Sequence, residues 1–253
     1  MKKLKLVLAA FIITLSTSIY AQTADEIVNN YLEAIGGKEK LMAITGTKMV
    51  GDINAQGMKI PLEMVAMKDG RMYVQIDIQG QKVKQLFSDG EKIYMMNMMS
   101  QSVEEMPSEE SEMMMNEFKD FPNAFIDYKE KGYSVELVGK ETAEGTECFK
   151  VKLTKKPFTI KGEQVPNVTF YYFDTESFVP IMTEQEVPSG PAKGQMMKTP
   201  LSDYDEVDGV YFPFTTNMQG MPMTYSEIIL NPEVTDADFA KPAEAKKETE
   251  TKN

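Results

Sequence analysis

The chain has 253 residues, a formal net charge of −12, no His, no Trp and one Cys. Without His there is no Ser-His or Cys-His nucleophile, no imidazole base and no His metal ligand. The acidic balance disfavours nucleic acid and static adsorption to a bilayer, while the length suits one all-β domain with a substantial core.

Lys2, Lys3 and Lys5, the apolar run Leu6 to Ile13, and Ser16 to Ser18 form an export signal with a cut expected between Ala21 and Gln22. The apolar run is too short to span a bilayer comfortably; an uncleaved signal anchor is the alternative. Gln22 stands where a lipid-anchored protein would have Cys, so no stable membrane anchor is expected. The expected divisions are a signal at 1–21, one domain over 22–240 and a disordered charged tail at 241–253.

Thr23 and Glu26 form a capping box for a first helix, whose Ile27, Val28, Tyr31, Leu32 and Ile35 make an apolar stripe ended by Gly36-Gly37. A short helical piece follows over Lys38 to Ile44. Five short strands then fill Thr45 to Asn97. Met49 and Ile53 share one face. Met58, Ile60, Leu62, Met64 and Ala66, and then Met72, Val74, Ile76 and Ile78, alternate with mostly polar neighbours. That period marks an antiparallel sheet with one buried face. Asp69-Gly70 and Asp89-Gly90 predict primed hairpin turns, and Ala55-Gln56-Gly57 a three-residue loop. Pro61 lacks a ladder donor and places its strand at an edge or a bulge.

From Met95 methionine becomes dense, and Pro107 to Glu110 predicts a helix start, with Met114, Phe118 and Phe121 on one side until Pro122. This segment reads either as a flap over a ligand, with unbranched Met side chains suiting variable guests, or as an ordinary packed helix. Strands resume at Ser134 to Lys140, Glu147 to Thr154, Asn167 to Asp174, Phe178 to Val187, Met196 to Val207, Val210 to Thr216 and Met223 to Leu230. Phe158 to Pro166 reads as an excursion and Asp208-Gly209 as a tight turn. The fold class is mainly β with a few helices (α+β): a single highly curved antiparallel sheet with helices against its concave face.

No glycine-rich phosphate loop or Cys cluster is present, and Asp203, Asp205, Asp208 and Gly209 miss the spacing of a calcium loop. With 39 acidic residues, paired carboxylates carry no specificity. No catalytic residue, metal or cofactor is assigned. Cys148 is read as a bystander on the polar face of its strand, a reactive thiol being the alternative. Arg71, the sole arginine, is either a latch between strand and flap, a contact to a ligand head group, or a solvated cation. The residues expected to line an apolar cavity are Met49, Ile53, Ile60, Leu62, Met64, Met72, Val74, Ile76, Phe87, Met114 and Phe118.

Several segments resemble the LolA-like outer-membrane lipoprotein-sorting proteins: Ala34 to Lys40, Phe87 to Tyr94, Tyr204 to Pro213 and Asp238 to Pro242. The resemblance implies an unclosed antiparallel half-barrel with a helical lid, whose cavity receives lipoprotein acyl chains. It further implies a soluble, monomeric periplasmic carrier with inner- and outer-membrane delivery partners, and an arginine latch for which Arg71 is the candidate. The family's cavity tryptophans are missing here. The competing readings are an envelope interaction or sensor module whose β core is filled by its own side chains, and a carboxylate-based hydrolase.

Overall fold

A computed structural model describes residues 22–218 and 220–241, so the expected signal and nearly all of the expected tail lie outside the described residues. Helices α1 (Ala24–Ala34) and α2 (Lys38–Met42) precede β1 (Gly46–Ala55), β2 (Met58–Met67), β3 (Arg71–Ile78), β4 (Gln81–Asp89), β5 (Ile93–Asn97) and β6 (Ser102–Glu105). Helix α3 (Ser108–Phe118) follows, then β7 (Ser134–Ala143), β8 (Thr146–Ile160), β9 (Glu163–Asp174) and β10 (Pro180–Glu186). The chain continues through β11 (Met196–Val207), β12 (Val210–Met218), β13 (Met221–Leu230) and α4 (Asp236–Phe239). Among the described residues no helix is long and apolar enough to cross a membrane.

All thirteen strands form one antiparallel sheet in the order β6-β5-β4-β3-β2-β1-β13-β12-β11-β10-β9-β8-β7. Two meanders are joined by the β1–β13 pair, and β6 and β7 remain edges, so the sheet is an unclosed half-barrel. Bulges bend it, because an extra residue on one strand increases local twist. At the β1 bulge the backbones come so close that a Cβ on Gly51 would meet the Thr224 carbonyl oxygen at 2.1 Å.

The expected capping box is present: Thr23 Oγ1 accepts from the Glu26 N–H at 3.2 Å, and Glu26 accepts from the Thr23 N–H at 2.8 Å. The stripe of α1 then packs with Phe125, Phe149, Val151, Leu153 and Phe173, filling the concave side of the β7–β9 half. Gly36 lets the α1–α2 corner press on the β11–β12 turn. It has φ +121°, a Cβ there would fall 2.4 Å from the Gly209 carbonyl oxygen, and Tyr211 N–H donates to the Ile35 carbonyl at 3.0 Å.

Several local expectations are corrected. Gln56-Gly57 forms a two-residue turn with both φ positive, whereas the β2–β3 loop has three residues, 68–70, and only Gly70 turns left-handed. Its Gly70 N–H returns to the Met67 carbonyl at 3.0 Å. The β4–β5 loop is built on Asp89, whose carboxylate accepts from the Glu91 and Lys92 N–H groups, and not on a primed turn. β2 is an interior strand, and Pro61 is tolerated because β2 pairs with β3 only from Leu62 onward. The Phe158 to Pro166 stretch is no excursion. It extends the β8–β9 hairpin to a turn at Lys161-Gly162, with the missing Pro157 donor absorbed at the bulge between Lys155 and Phe158.

The first meander buries both of its faces. Val65, Met67, Tyr73 and Phe87 form a convex-side cluster closed by Phe239 of α4. Cys148 lies on the outer face of β8, as expected, but is fully buried there among Ala143, Tyr172 and Met182. Tyr172 lies opposite Lys150 in the register and Met182 opposite Tyr172, so large side chains of β9 and β10 cover the thiol.

Candidate functional site

A hollow of about 520 Å³ lies between the concave face of β1–β3 and the helical layer. The sheet supplies Thr47, Met49, Met64, Ala66 and Met72, α1 supplies Tyr31 and Ile35, and α3 supplies Phe118. The register explains the methionines: Met49 faces Met64, which faces Val74, so one row crosses three strands. Tyr171 and Tyr204 add phenols to the wall. Burial pushes Tyr31 up to about 12 and raises Tyr171 and Tyr204 as well, so all three stay neutral. Asn123 donates to Tyr31 Oη at 2.8 Å, and Tyr204 donates to the Pro180 carbonyl at 2.6 Å. The wall is apolar with uncharged polar points, apart from Glu117 and Asp120 at its α3 side.

Of the expected lining residues, Met49, Met64, Met72 and Phe118 surround this hollow. Ile53, Leu62, Val74 and Ile76 lie in a cluster with Met223, Tyr225 and Ile228, where the protein's own side chains occupy the space. Ile60 continues that row toward the β1–β2 turn, opposite Ile53. Phe87 is on the other face, stacked on Tyr94 at 5.2 Å, because it pairs with the outward-facing Tyr73. Met114 faces a second cavity of about 740 Å³ on the far side of α3, beside Met113, Phe158, Phe170 and Met196. Helix α3 therefore divides two spaces, and Glu117 borders both.

α3 has no fully buried residue. Polar contacts to β8 and to the β8–β9 turn hold it at both ends. Glu109 accepts from the Lys161 N–H at 2.8 Å. At the other end Glu117 accepts from Lys155 Nζ at 2.6 Å, and Lys155 also donates to Asp120 at 3.0 Å. Lys155 and Asp120 are each 7% exposed at the side chain, and Lys131 reaches the second Asp120 oxygen at 3.1 Å. This cluster has no signature in the sequence, where Lys155 sits inside an ordinary Thr-Lys-Lys-Pro run.

Arg71 is not directed at α3. Its guanidinium donates to Asp69 at 3.0 Å and to Asp236 at 2.8 Å, and lies 5.1 Å from the Phe239 ring centre, so it clasps α4 to the convex face. The Arg71 hydrogen bonds hold the Asp69 carboxyl below the usual range. The latch expected between strand and flap is thus corrected: the cation that binds α3 is Lys155.

No family model and no curated protein matches the sequence. Solved structures do match. A DUF1329 family protein from Desulfovibrio piger aligns at a TM-score of 0.52 and 14% identity, covering 86% of this chain and 97% of that one. An outer membrane lipoprotein-sorting protein domain from Vibrio parahaemolyticus aligns at 0.50 and 12% identity, over 85% and 97% of the two chains. A LolA superfamily protein from Nitrosomonas europaea aligns at 0.50 and 14% identity, over 87% and 99%. At such identities the likeness speaks to architecture alone, and on it the chain has the LolA-like fold.

Proposed function

We propose that this chain is an exported, periplasmic carrier that binds the acyl chains of lipoproteins, or of other lipids, in the hollow between β1–β3 and α3, without chemistry of its own. The observation that carries the reading is the largely apolar, Met-lined hollow of about 520 Å³, whose wall carboxylates Glu117 and Asp120 are both paired with Lys155, under a helix held by polar pins. A methylene takes up about the ~30 Å³ of a liquid water, so the hollow accommodates on the order of 17 methylenes. Each buried CH₂ gains about 0.8 kcal/mol relative to water. The donor membrane offers the same gain, so a carrier needs an adaptable wall and a lid that opens, and methionine and α3 meet both needs. The carrier acts as a monomer and exchanges cargo with inner- and outer-membrane partners.

The test is displacement of a fluorescent fatty acid from delipidated protein, with native mass spectrometry of protein purified from its own envelope. One acyl equivalent should bind, and Met49→Gln/Met64→Gln, which puts two amides of similar size on the apolar wall, should weaken binding at least tenfold while the protein stays folded. Protein that remains ligand-free in both experiments would contradict the carrier. The self-filled cluster of Leu62, Met223, Tyr225 and Ile228 favours a second reading, an envelope interaction module. Capture of one stable protein partner without fatty-acid displacement would favour that instead.

A further inference from the structure

The antiparallel topology sorts the turns into two sets. The turns at 56–57, 79–80, 98–101, 161–162 and 187–195, and Gly220 before β13, lie at one end of the sheet, and the turns at 68–70, 90–92, 144–145, 175–179 and 208–209 at the other. Ten large apolar side chains are exposed among the described residues, and six of them, Met58, Ile78, Met98, Met99, Met196 and Met221, border or occupy turns of the first set. The remaining four, Met42, Val138, Tyr211 and Ile229, lie on α2 or within strands. Met99 is 98% exposed and Met58 65%, levels that no core role explains.

Charge follows the same division. In the Met-bearing turns each carboxylate is matched in number by a lysine (Asp77 by Lys82, Glu163 by Lys161, Glu186 by Lys193), and Lys59 is left over. Counted likewise with two flanking residues on each side, the turns of the opposite end carry nine carboxylates, among them Glu91, Glu144, Glu176 and Asp208, against Lys68, Arg71 and Lys92, in a chain whose net charge is −12. The cavity of about 740 Å³ reaches the Met-bearing end, where Phe158, Pro188, Ser189 and Met196 wall it.

We infer that this Met-studded rim, on which the cavity of about 740 Å³ opens, is a docking surface for a zwitterionic lipid bilayer. The inference rests on the carrier reading. Apolar rim area provides the adhesion, and the near-neutral rim meets a surface without net charge at no electrostatic cost. Unbranched methionines at separate turns conform to an irregular lipid surface and detach readily.

Because the chain has no Trp, a single introduced Trp reports its own surroundings. Met99→Trp should shift to the blue on phosphatidylcholine vesicles and lose at least half its emission when the lipids are brominated, whereas Glu144→Trp should do neither. Met58→Ser/Met98→Ser/Met99→Ser should lower flotation with the same vesicles at least tenfold, while fatty-acid displacement in solution stays at the wild-type level. Equal responses at the two ends, no response at Met99→Trp, or flotation unaffected by the Ser variant would each overturn the rim assignment. A shift produced by an envelope protein but not by vesicles would overturn it too. Intact fatty-acid binding in those cases leaves the carrier reading standing, so the two failures are distinguishable.

Discussion

Replacing Lys155 by Met removes the one cation that joins α3 to β8 and keeps the length of the side chain. The cost follows from the unequal burial of its partners. Glu117, 51% exposed, turns to water at little loss, but Asp120, 7% exposed, cannot. Breaking a buried ion pair by removing one partner costs about 3–5 kcal/mol. Asp120 keeps Lys131 at 3.1 Å, so the lower end, about 3 kcal/mol, applies here. For a domain of this size each kcal/mol moves Tm by about 2–4 °C, giving a fall of about 6–12 °C. Glu117→Gln should cost at most about 1 kcal/mol, as for an exposed pair. Lys155→Met/Asp120→Leu, which removes the orphaned charge, should recover most of the loss. Thermal melts with amide exchange across α3 measure all three. If Lys155→Met matches Glu117→Gln, or if the double variant is as unstable as the single, the orphaned-carboxylate argument is wrong.

Four further outcomes are expected. Phe239→Ala, emptying the convex cluster of a fully buried ring, should cost about 3–5 kcal/mol in denaturant melts, whereas Arg71→Lys should loosen α4 yet leave fatty-acid release unchanged. Lys129 and Tyr128 hold the Asp25 carboxyl below its ordinary value, so its stabilisation is complete above the unfolded pKa of about 3.9 and is lost as pH falls through the folded one. Tm should therefore drop below about pH 4, and Asp25→Asn should flatten that acid limb; an unchanged limb would refute the assignment. Gly36→Ala, forcing a Cβ against the Gly209 carbonyl at positive φ, should cost more than about 1 kcal/mol in the same melts.

Alternation of apolar and polar residues made the sheet legible, because period two is a local property of each strand. The strand Met196 to Val207 is observed with the ends expected from its flanking turns. What one strand cannot encode is which of its faces meets a distant segment. Val65 and Met67 read as the outer face, and they are buried because Phe239, far along the chain, folds back over them. Phe87 changed sides for a related reason: the bulge between Val74 and Gln75 in the β3–β4 ladder leaves Gln85 without a partner residue and resets the phase of β4. The burial of Cys148 is not legible in its own strand because its covering residues, Tyr172 and Met182, belong to other strands. The helical stripe of α1 showed that it docks, while its site over Phe149, Val151 and Phe173 emerges only from the sheet's closure toward β7.

The two halves of the half-barrel use the same architecture for different ends. Over β7–β9, α1 and the aromatic residues Phe125, Phe149 and Phe173 fill the concavity. Over β1–β3 the helix that covers the sheet has no buried residue of its own and is held by Glu109 and Glu117. Polar pins of this kind exchange readily with water, whereas a buried apolar helix face would lose its transfer energy on every opening. A lid fixed by its apolar face would also compete with an acyl chain for the methionines beneath it. On the proposed carrier reading, placing the apolar investment in α1 and the polar contacts in α3 leaves Met49, Met64 and Met72 on the wall of the hollow for a guest, and makes α3 the element expected to move first.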